Sequence, residues 1–233
     1  MKRIGIVGGL GPESTVDYYK RIIAAFQERN TGLSFPEIVI YSANLQELMD
    51  VLDAGDREGL AVWLAEKVEA LHRAGADFAV IGSNTPHLVF DAVRLHVPIP
   101  MLSIVEETCR KAGRLGLKKL GLLGTKFTME SDFYRKSFEA AGLQIAVPEE
   151  VDRELIHHRL FTEIELGIVK DSTREELLSV VRRMIDGQGI EAVILGCTEL
   201  PLILDRDCFG IPFLNTTAIH VEGIVEYCLN GVN

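Results

Sequence analysis

The sequence predicts an α/β protein made of two pseudo-symmetric lobes, each a mainly parallel sheet flanked by helices, with the functional site between the lobes. Two observations support this fold class. Short apolar runs alternate with amphipathic stretches from one end of the chain to the other, and three blocks of the first half recur in the second half in the same order. The alternation predicts parallel βαβ units, and the recurrence predicts two such sheets.

Six apolar runs have the length of a buried parallel strand, and most are apolar throughout rather than alternating. Such continuous runs are typical of strands that are covered on both faces. The six predicted strands are Arg3–Val7, Glu37–Ser42, Phe78–Ile81, Lys119–Leu123, Leu143–Val147 and Ala192–Leu195.

The stretches between these runs have helical periodicity. One of them ends at Gly75, a helix stop signal, and Ser172 with Glu175 forms a capping box ahead of another. The apolar face of the stretch that ends at Gly75 consists of Leu60, Trp63, Leu64, Val68 and Leu71.

The repeat is the more informative feature. KRIGIVGGLGPESTVDYYKR aligns with KKLGLLGTKFTMESDFYRKS, in each case a strand, a glycine, a loop and a helix with an aromatic pair. GADFAVIGSNTPHL aligns with GIEAVILGCTELPL, which pairs Ser83 with Cys197, and VPIPML aligns with FGIPFL. Three blocks at nearly constant spacing indicate gene duplication.

The duplication predicts where the lobes divide. We expect residues 1–103 with 213–233 to form one lobe and residues 104–212 the other, with a final helix around Thr217–Leu229 returning to the first lobe. Ligand sites of open parallel sheets lie beyond the carboxyl ends of the strands. Four strand-end loops are therefore expected around one cleft: Gly8–Pro12, Ser83–Pro86, Gly124–Thr128 and Cys197–Leu200.

Composition excludes several classes of protein. The formal net charge of −10 argues against a nucleic-acid partner, because phosphate contacts need clustered Lys and Arg. No segment approaches the ~20 apolar residues of a membrane span, and MKRIGIVGG lacks the long apolar stretch of a signal peptide. The four cysteines form neither a CxxC pair nor a zinc-spaced cluster. We expect a reduced, cytoplasmic protein without a metal site.

Cys197 is the strongest candidate for chemistry. It ends a buried strand and precedes Thr-Glu-Leu-Pro, which is predicted to open a helix whose N-terminus favours a thiolate. The alternative is that Cys197 is a small buried hydrophobe, the usual role of a free cysteine. The repeat favours the functional role, because Cys197 duplicates Ser83 and a substrate held between the two would be met on both faces.

Polar residues at the same strand ends are candidates for binding an anion. Asn84 and Thr85 follow the first strand end and Thr198 the second, where side chains and N–H groups bind carboxylates. Thr125 and Lys126 place a hydroxyl and a cation where a second carboxylate could sit. An ordinary surface loop is an equal alternative for Lys126.

The histidines offer weaker indications. His87 lies one turn beyond Ser83 and is expected to hydrogen-bond the substrate or the thiol, or to pack in the helix. His157 and His158 lie in a charged helical stretch, which predicts a solvated face rather than metal ligation. No suggestive neighbours accompany the other three, His72, His96 and His220.

Four segments resemble the cofactor-independent aspartate/glutamate racemase superfamily: GIVGGLGPESTVDYY, GSNTPH, LLGTKFTMESDFY and LGCTELPL. They occur in the order of that family over nearly the whole chain, and GGLGPEST and LGCTELPL are typical of its aspartate-racemase-like branch. The resemblance implies two lobes with the active site between them, often in a homodimer. It also implies two catalytic thiols at equivalent strand ends, with neither pyridoxal phosphate nor a metal.

The resemblance assigns roles to particular residues. Cys197 matches the second family thiol, whereas Ser83 stands at the first, as in a broad-specificity subgroup with a hydroxyl residue there. Single-cysteine decarboxylases of the superfamily also lack that thiol. Asn84, Thr85, Thr125 and Thr198 match positions that hold the substrate carboxylates. We also expect Leu10, Lys126 and Glu199 to contact the substrate.

Three hypotheses follow. The first is a racemase of acidic amino acids in which Cys197 and Ser83 transfer the α-proton. The second is a decarboxylase or isomerase of a dicarboxylic acid that uses Cys197 alone. The third is a small-molecule binding protein that keeps the cleft without catalysis. A cysteine hydrolase using Cys197 and His87 is the least favoured, because no orienting group accompanies the pair.

Overall fold

A computed structural model describes residues 1–29 and 32–229, which contain eight strands and ten α-helices. No helix within these ranges is both long and apolar enough to cross a membrane. The strands are β1 (Ile4–Gly8), β2 (Ile38–Ser42), β3 (Phe78–Ile81), β4 (Met101–Leu102), β5 (Lys119–Leu123), β6 (Gln144–Ala146), β7 (Ala192–Leu195) and β8 (Phe213–Asn215). The helices are α1 (Pro12–Arg29), α2 (Leu45–Asp53), α3 (Arg57–Arg73), α4 (Phe90–His96), α5 (Ile104–Arg114), α6 (Lys126–Glu130), α7 (Phe133–Ala140), α8 (Glu150–Thr162), α9 (Asp171–Gln188) and α10 (Thr216–Leu229).

The strands form two four-stranded sheets with the same internal order. The first sheet has the order β2-β1-β3-β4 and the second has the order β6-β5-β7-β8. All of their strand pairs are parallel. The predicted α/β class, with two parallel sheets flanked by helices, is confirmed.

The six predicted strands are all present, with ends shifted by one residue at most. The sequence patterns missed β4 and β8, which have two and three residues. Both follow a proline, which usually indicates a turn. Here the proline carbonyls extend the ladders, because Pro100 O accepts from Ala79 N–H at 2.9 Å and Pro212 O accepts from Val193 N–H at 3.0 Å.

The chain divides into two compact units, Met1–Glu107 with the segment that begins at Thr217, and Thr108–Thr216. In the first unit, α10 packs on the same sheet as α1: Val221 and Ile224 join a buried cluster with Ile4, Ile6 and Phe78. Burying each such side chain contributes about 1.5–3 kcal/mol. The second unit has its own core, formed by β7 with α8 and α9.

Helix ends agree less well with the sequence patterns. The apolar face of α3 is buried as predicted, apart from Trp63, which is half-exposed and donates through Nε1 to Glu47 at 3.1 Å. The predicted capping box of α9 is wrong. That helix begins after Lys170, without a side-chain cap, so Ser172 lies inside its first turn.

Candidate active site

The loop after β1 needs glycine at Gly9. This residue has a φ of +78°, and a Cβ there would lie 2.2 Å from Ala43 O. The close approach also lets Ala43 N–H donate to Gly8 O at 2.9 Å. Gly9 N–H donates to Thr15 Oγ1 at 2.8 Å, which ties the loop to α1 and places Leu10, a buried residue, at the strand end.

Ser83 lies beyond β3, at the carboxyl end of the first sheet. Gly82 N–H extends the ladder by donating to Val7 O at 2.9 Å, and Ser83 follows as the second residue after the strand. Ser83 and Asn84 are buried, and Thr85 begins a 3-10 helix that ends at Val89. The fold therefore brings three of the predicted site residues to one strand end.

His87 holds the backbone of Ser83 rather than its hydroxyl. Its Nε2 accepts from Ile104 N–H at 3.3 Å, so Nδ1 carries the proton and donates to Ser83 O at 2.9 Å. The ring also stacks on Phe90, 4.7 Å between centroids. Burial lowers the pKa of His87 to about 3, which keeps the ring neutral.

His220 is also built into the first unit, although its sequence neighbours gave no indication of this. Its Nε2 donates to Leu102 O at 3.3 Å, and its Nδ1 therefore accepts from Tyr18 O–H at 2.8 Å. Burial, and then the nearby His87, lowers the pKa of His220 to about 3. His220 thus connects α10 to α1 and β4 through buried hydrogen bonds between uncharged groups.

These two histidines predict a loss of stability in mild acid. In the unfolded chain they bind protons below about pH 6.5, whereas in the folded chain they do so only near pH 3. As the pH falls below 6.5, the unfolded state therefore binds more protons, and the free energy of unfolding should fall by up to about 1.4 kcal/mol per pH unit per histidine.

Thermal unfolding between pH 7 and pH 4.5 measures this effect. His220→Gln, which keeps a donor and an acceptor, should make stability fall less steeply with falling pH, by up to about 1.4 kcal/mol per pH unit. The exposed His158 provides the matched control, since His158→Gln should leave the slope unchanged. An unchanged slope in His220→Gln would contradict the assignment.

Thr125 and Lys126 follow β5 and begin α6. Thr125 Oγ1 caps this helix by accepting from Thr128 N–H at 3.2 Å. The Lys126 ammonium pairs with Glu154 of α8, and this pairing raises the pKa of the lysine. In this structure the cation therefore occupies an ion pair with Glu154 at the start of a helix rather than in a loop.

The pair His157 and His158 was expected on a solvated face, and this is wrong for His157. Lys126 N–H donates to His157 Nδ1 at 3.2 Å, and the half-buried ring packs against Phe127 and Phe161. Only His158 is exposed. The spacing of α8 turns the two adjacent side chains to different faces.

Cys197 lies beyond β7, as Ser83 lies beyond β3. Gly196 N–H donates to Leu123 O at 2.6 Å, and the buried Cys197 follows as the second residue after the strand. The helix predicted to follow is wrong. The chain forms only a 3-10 turn over Leu200–Leu202, which is too short for a macrodipole that could stabilise a thiolate.

The surroundings of Cys197 are acidic. Its Sγ lies 3.1 Å from Glu199 Oε2 and 3.7 Å from Glu165 Oε1. The same Glu199 oxygen accepts from Thr198 Oγ1 at 2.7 Å. Burial, followed by the charges of Glu199 and Glu165, raises the pKa of Cys197 well above its usual value. The resting group is a thiol, which corrects the expectation of a thiolate.

Glu165 is the residue of this cluster that the sequence patterns missed. It lies in the 3-10 turn Ile164–Leu166, 32 positions before Cys197. Burial and the charge of Glu199 raise its pKa to about 7, and the hydrogen bond with Cys197 partly opposes this rise. A glutamate in a charged helical region carries no local signal that it faces a buried thiol.

The turn is held by a second glutamate. Glu163 is buried and accepts from Thr173 Oγ1 at 2.5 Å, Arg159 Nη1 at 2.8 Å and Lys170 Nζ at 3.0 Å. Charge-assisted bonds of this kind fix the backbone on both sides. Glu165 follows this anchored residue by two positions and contacts Cys197.

A metal ion needs several donor atoms at close spacing. Among the residues that the structure describes, Glu165, Cys197 and Glu199 place one donor atom each within 4.8 Å of the others. These atoms already hydrogen-bond through the thiol. The hydrogen bonds of the Cys197 thiol thus connect the three side chains directly.

The chain is similar to known racemases over nearly its whole length. A profile of the Asp/Glu/Hydantoin racemase family matches residues 7–224. The broad-specificity amino-acid racemase RacX of Bacillus subtilis is 25% identical over 232 residues, covering 96% of each chain. The structure of an aspartate racemase homologue from Pyrococcus horikoshii is 38% identical, with a TM-score of 0.85 over 98% of this chain and 99% of that chain.

A second solved structure, of a proposed Asp/Glu racemase from Yersinia pestis, is 33% identical. Its TM-score is 0.89, over 98% of this chain and 100% of that chain. The resemblance seen in the four sequence segments is thus confirmed over nearly the whole fold. The chain therefore belongs to the Asp/Glu/Hydantoin racemase family, and the enzyme class predicted from its sequence, an amino-acid racemase, is confirmed.

Proposed function

We propose that the protein racemises α-amino acids without pyridoxal phosphate or a metal ion, with Cys197 and Ser83 transferring the α-proton on opposite faces of the substrate. The observation that carries this proposal is the equivalence of the two residues within their own sheets. Each is the second residue after its strand, and β3 and β7 hold the same place in two sheets of the same order. A two-sided reaction at one carbon needs a proton-transfer group on each side.

The proposed chemistry is a proton exchange at Cα. A base on one face removes the α-proton, and the electron pair stays on Cα, where the adjacent carboxyl group stabilises it. An acid on the other face then returns a proton. A thiol suits both roles because its pKa is ~8.5 in the absence of perturbation. Hydrogen-bond donors around the carboxyl group offset the charge that develops there.

Substrate binding is proposed for side chains at the ends of β1, β3, β5 and β7. Hydroxyl and amide groups there donate to carboxylates, and Glu199 is an acceptor suited to the α-ammonium group. Lys126 would bind a second carboxylate of the substrate by giving up its ion pair with Glu154. The proposed residues are Leu10, Asn84, Thr85, Thr125, Lys126, Thr198 and Glu199.

We propose aspartate and glutamate as substrates, with tolerance of other side chains. The broad specificity named for the Bacillus subtilis relative supports that tolerance. We also propose a homodimer that acts in the cytoplasm. The four cysteines are all free, in keeping with a reducing compartment.

Proton NMR in D2O tests the proposal. Each enantiomer of aspartate, glutamate and a panel of neutral and basic amino acids is incubated with the enzyme, and α-deuteration and inversion are followed. We expect both for at least the acidic amino acids, unchanged after dialysis against EDTA and without the absorbance of bound pyridoxal phosphate. Loss of activity on chelation, restored by a divalent metal, would contradict the proposal, as would the absence of α-exchange with every amino acid.

The second candidate is a decarboxylase or isomerase of a dicarboxylic acid. The observation that favours it is the hydroxyl of Ser83, which leaves Cys197 as the one thiol at the two strand ends. Release of CO2 from a dicarboxylate, without α-exchange of amino acids, would favour this candidate over racemisation.

A further inference from the structure

We infer that His87 is a positioning residue for Ser83, because its imidazole fixes the peptide group that follows Ser83 and thereby orients the Ser83 side chain toward the substrate. The inference rests on the proposed racemase function, in which Ser83 transfers the proton on one face, and deepens it. His87 Nδ1 donates to Ser83 O at 2.9 Å. A group that transfers a proton to or from one carbon works only while its backbone is held in the productive place.

Buried side chains hold the peptide groups on both sides of Ser83. Before it, Gly82 O accepts from Ser14 Oγ at 3.1 Å, and Gly82 N–H donates to Val7 O at 2.9 Å. After it, the Ser83 carbonyl lies beyond the end of β3, and the His87 ring supplies its donor. Buried backbone groups outside a sheet need partners of this kind. His87 therefore anchors the far side of Ser83, as strand pairing and Ser14 anchor the near side.

The ring of His87 is itself fixed by two contacts. Its Nε2 accepts from Ile104 N–H at 3.3 Å, and Ile104 is the first residue of α5, whose leading N–H groups have no acceptor within the helix. The ring also stacks on Phe90, with 9° between the two planes. These contacts set the tautomer and the plane of the ring, so that Nδ1 carries the proton and points at Ser83 O.

The backbone that presents Ile104 N–H is anchored as well. Leu102 O accepts from His220 Nε2 at 3.3 Å. Ser103 Oγ caps the first turn of α5 by accepting from two backbone N–H groups. The start of α5 therefore offers the His87 ring a fixed support rather than a loose loop.

The charge state of His87 suits this role. Burial lowers its pKa to about 3, although the hydrogen bond to Ser83 opposes the shift. The ring is therefore neutral near pH 7. A neutral ring with a proton on Nδ1 is the form that can donate to Ser83 O and accept from Ile104 N–H at the same time.

Three substitutions of His87 separate its two hydrogen bonds. Asparagine places an amide donor near the position of Nδ1 and can keep the bond to Ser83 O. Glutamine places an amide oxygen near the position of Nε2 and can keep only the bond from Ile104 N–H, and alanine keeps neither. We expect His87→Gln and His87→Ala to lower the rate of inversion about 10- to 100-fold, and His87→Asn to stay within about 3-fold of wild type.

The ratio of inversion to α-deuterium exchange distinguishes positioning from a purely structural role. Cys197 belongs to the other unit and can remove and return a proton on its own face, so exchange with retention should stay within about 2-fold of wild type in all three variants. Proton NMR in D2O and chiral chromatography measure the two rates. Equal losses of inversion and exchange would overturn the inference. So would wild-type inversion in all three variants, or a loss in His87→Asn as large as in His87→Gln.

His96 provides the matched control. Its Nδ1 also donates to the carbonyl four residues earlier, Ala92 O at 2.7 Å, but this side chain is exposed. His96→Ala removes the same kind of bond at a place remote in sequence from Ser83. It should therefore keep wild-type rates of inversion and exchange.

A readout without substrate separates the inference from the proposed function. Ser83→Cys in a Cys197→Ala background puts a thiol beyond the end of β3, and peptide mass spectrometry follows its alkylation by iodoacetamide, with the half-exposed Cys208 as internal reference. Alkylation at this position should be about 3-fold or more faster with His87→Gln than with His87→Asn, because an unanchored strand end opens more often. Equal rates would overturn the inference. If the wild type exchanged no α-proton while this contrast held, the racemase proposal would fail and the anchoring of Ser83 by His87 would stand.

Discussion

Cys197→Ala is expected to lower the kcat of racemisation on the order of 10³-fold or more, in both directions. The substitution removes the one thiol that the fold places at a strand end beside proton acceptors. KM should change only a few-fold, because the carboxylate-binding groups are other residues. Polarimetry or coupled assays from each enantiomer measure the rate, and circular dichroism checks the fold.

The half-exposed Cys208 offers the matched control. Within residues 1–29 and 32–229, its Sγ hydrogen-bonds only to a backbone carbonyl, Arg206 O. Cys208→Ala should therefore keep wild-type activity. If Cys197→Ala did so as well, thiol-based proton transfer would be excluded.

The two sheets were predictable because their strands are continuous and buried. β3 and β7 are buried at every residue, and a run of four such residues between helical patterns has few other interpretations. The repeat then predicted that Ser83 and Cys197 follow equivalent strands, because two halves of a chain with the same sequence pattern are expected to have the same fold. β4 and β8 could not be found this way, because long-range pairing rather than local pattern makes them strands.

The charges around Cys197 could not be predicted from local sequence patterns. Thr-Glu-Leu-Pro after Cys197 is compatible both with an α-helix and with the 3-10 turn that forms. The two structures have opposite effects on the pKa of the thiol. A helix N-terminus would lower that pKa, whereas the neighbouring carboxylates raise it. Glu165 contacts Cys197 from a turn that is far away in the sequence and in which Glu163 bonds to Thr173 and Arg159. Contacts of this kind depend on the tertiary structure.

In the proposed mechanism, Ser83 transfers the proton on the face of the substrate opposite Cys197. A serine hydroxyl is a far weaker acid than a thiol, so donating its proton leaves an alkoxide unless a neighbour or a water molecule shares the charge. His87 is not arranged to help in this structure, because both of its ring nitrogens hold backbone groups. Ser83 should therefore limit the rate. It cannot make the enzyme one-way, since the enantiomers are equally stable in water and the two kcat/KM values must match.

Replacing Ser83 with cysteine is expected to increase the rate of racemisation about 10-fold or more, because the thiol supplies an accessible acid and base on the first face. The larger sulfur at the buried strand end should cost no more than about 1–3 kcal/mol of stability. Ser83→Ala should nearly abolish inversion but keep α-deuterium exchange with retention, because Cys197 can remove a proton and return it to the same face. Comparing deuteration with inversion by NMR and chiral chromatography separates these outcomes. If exchange and inversion fell together in Ser83→Ala, Ser83 would only bind substrate, and the single-thiol decarboxylase or isomerase would become the better account of the site.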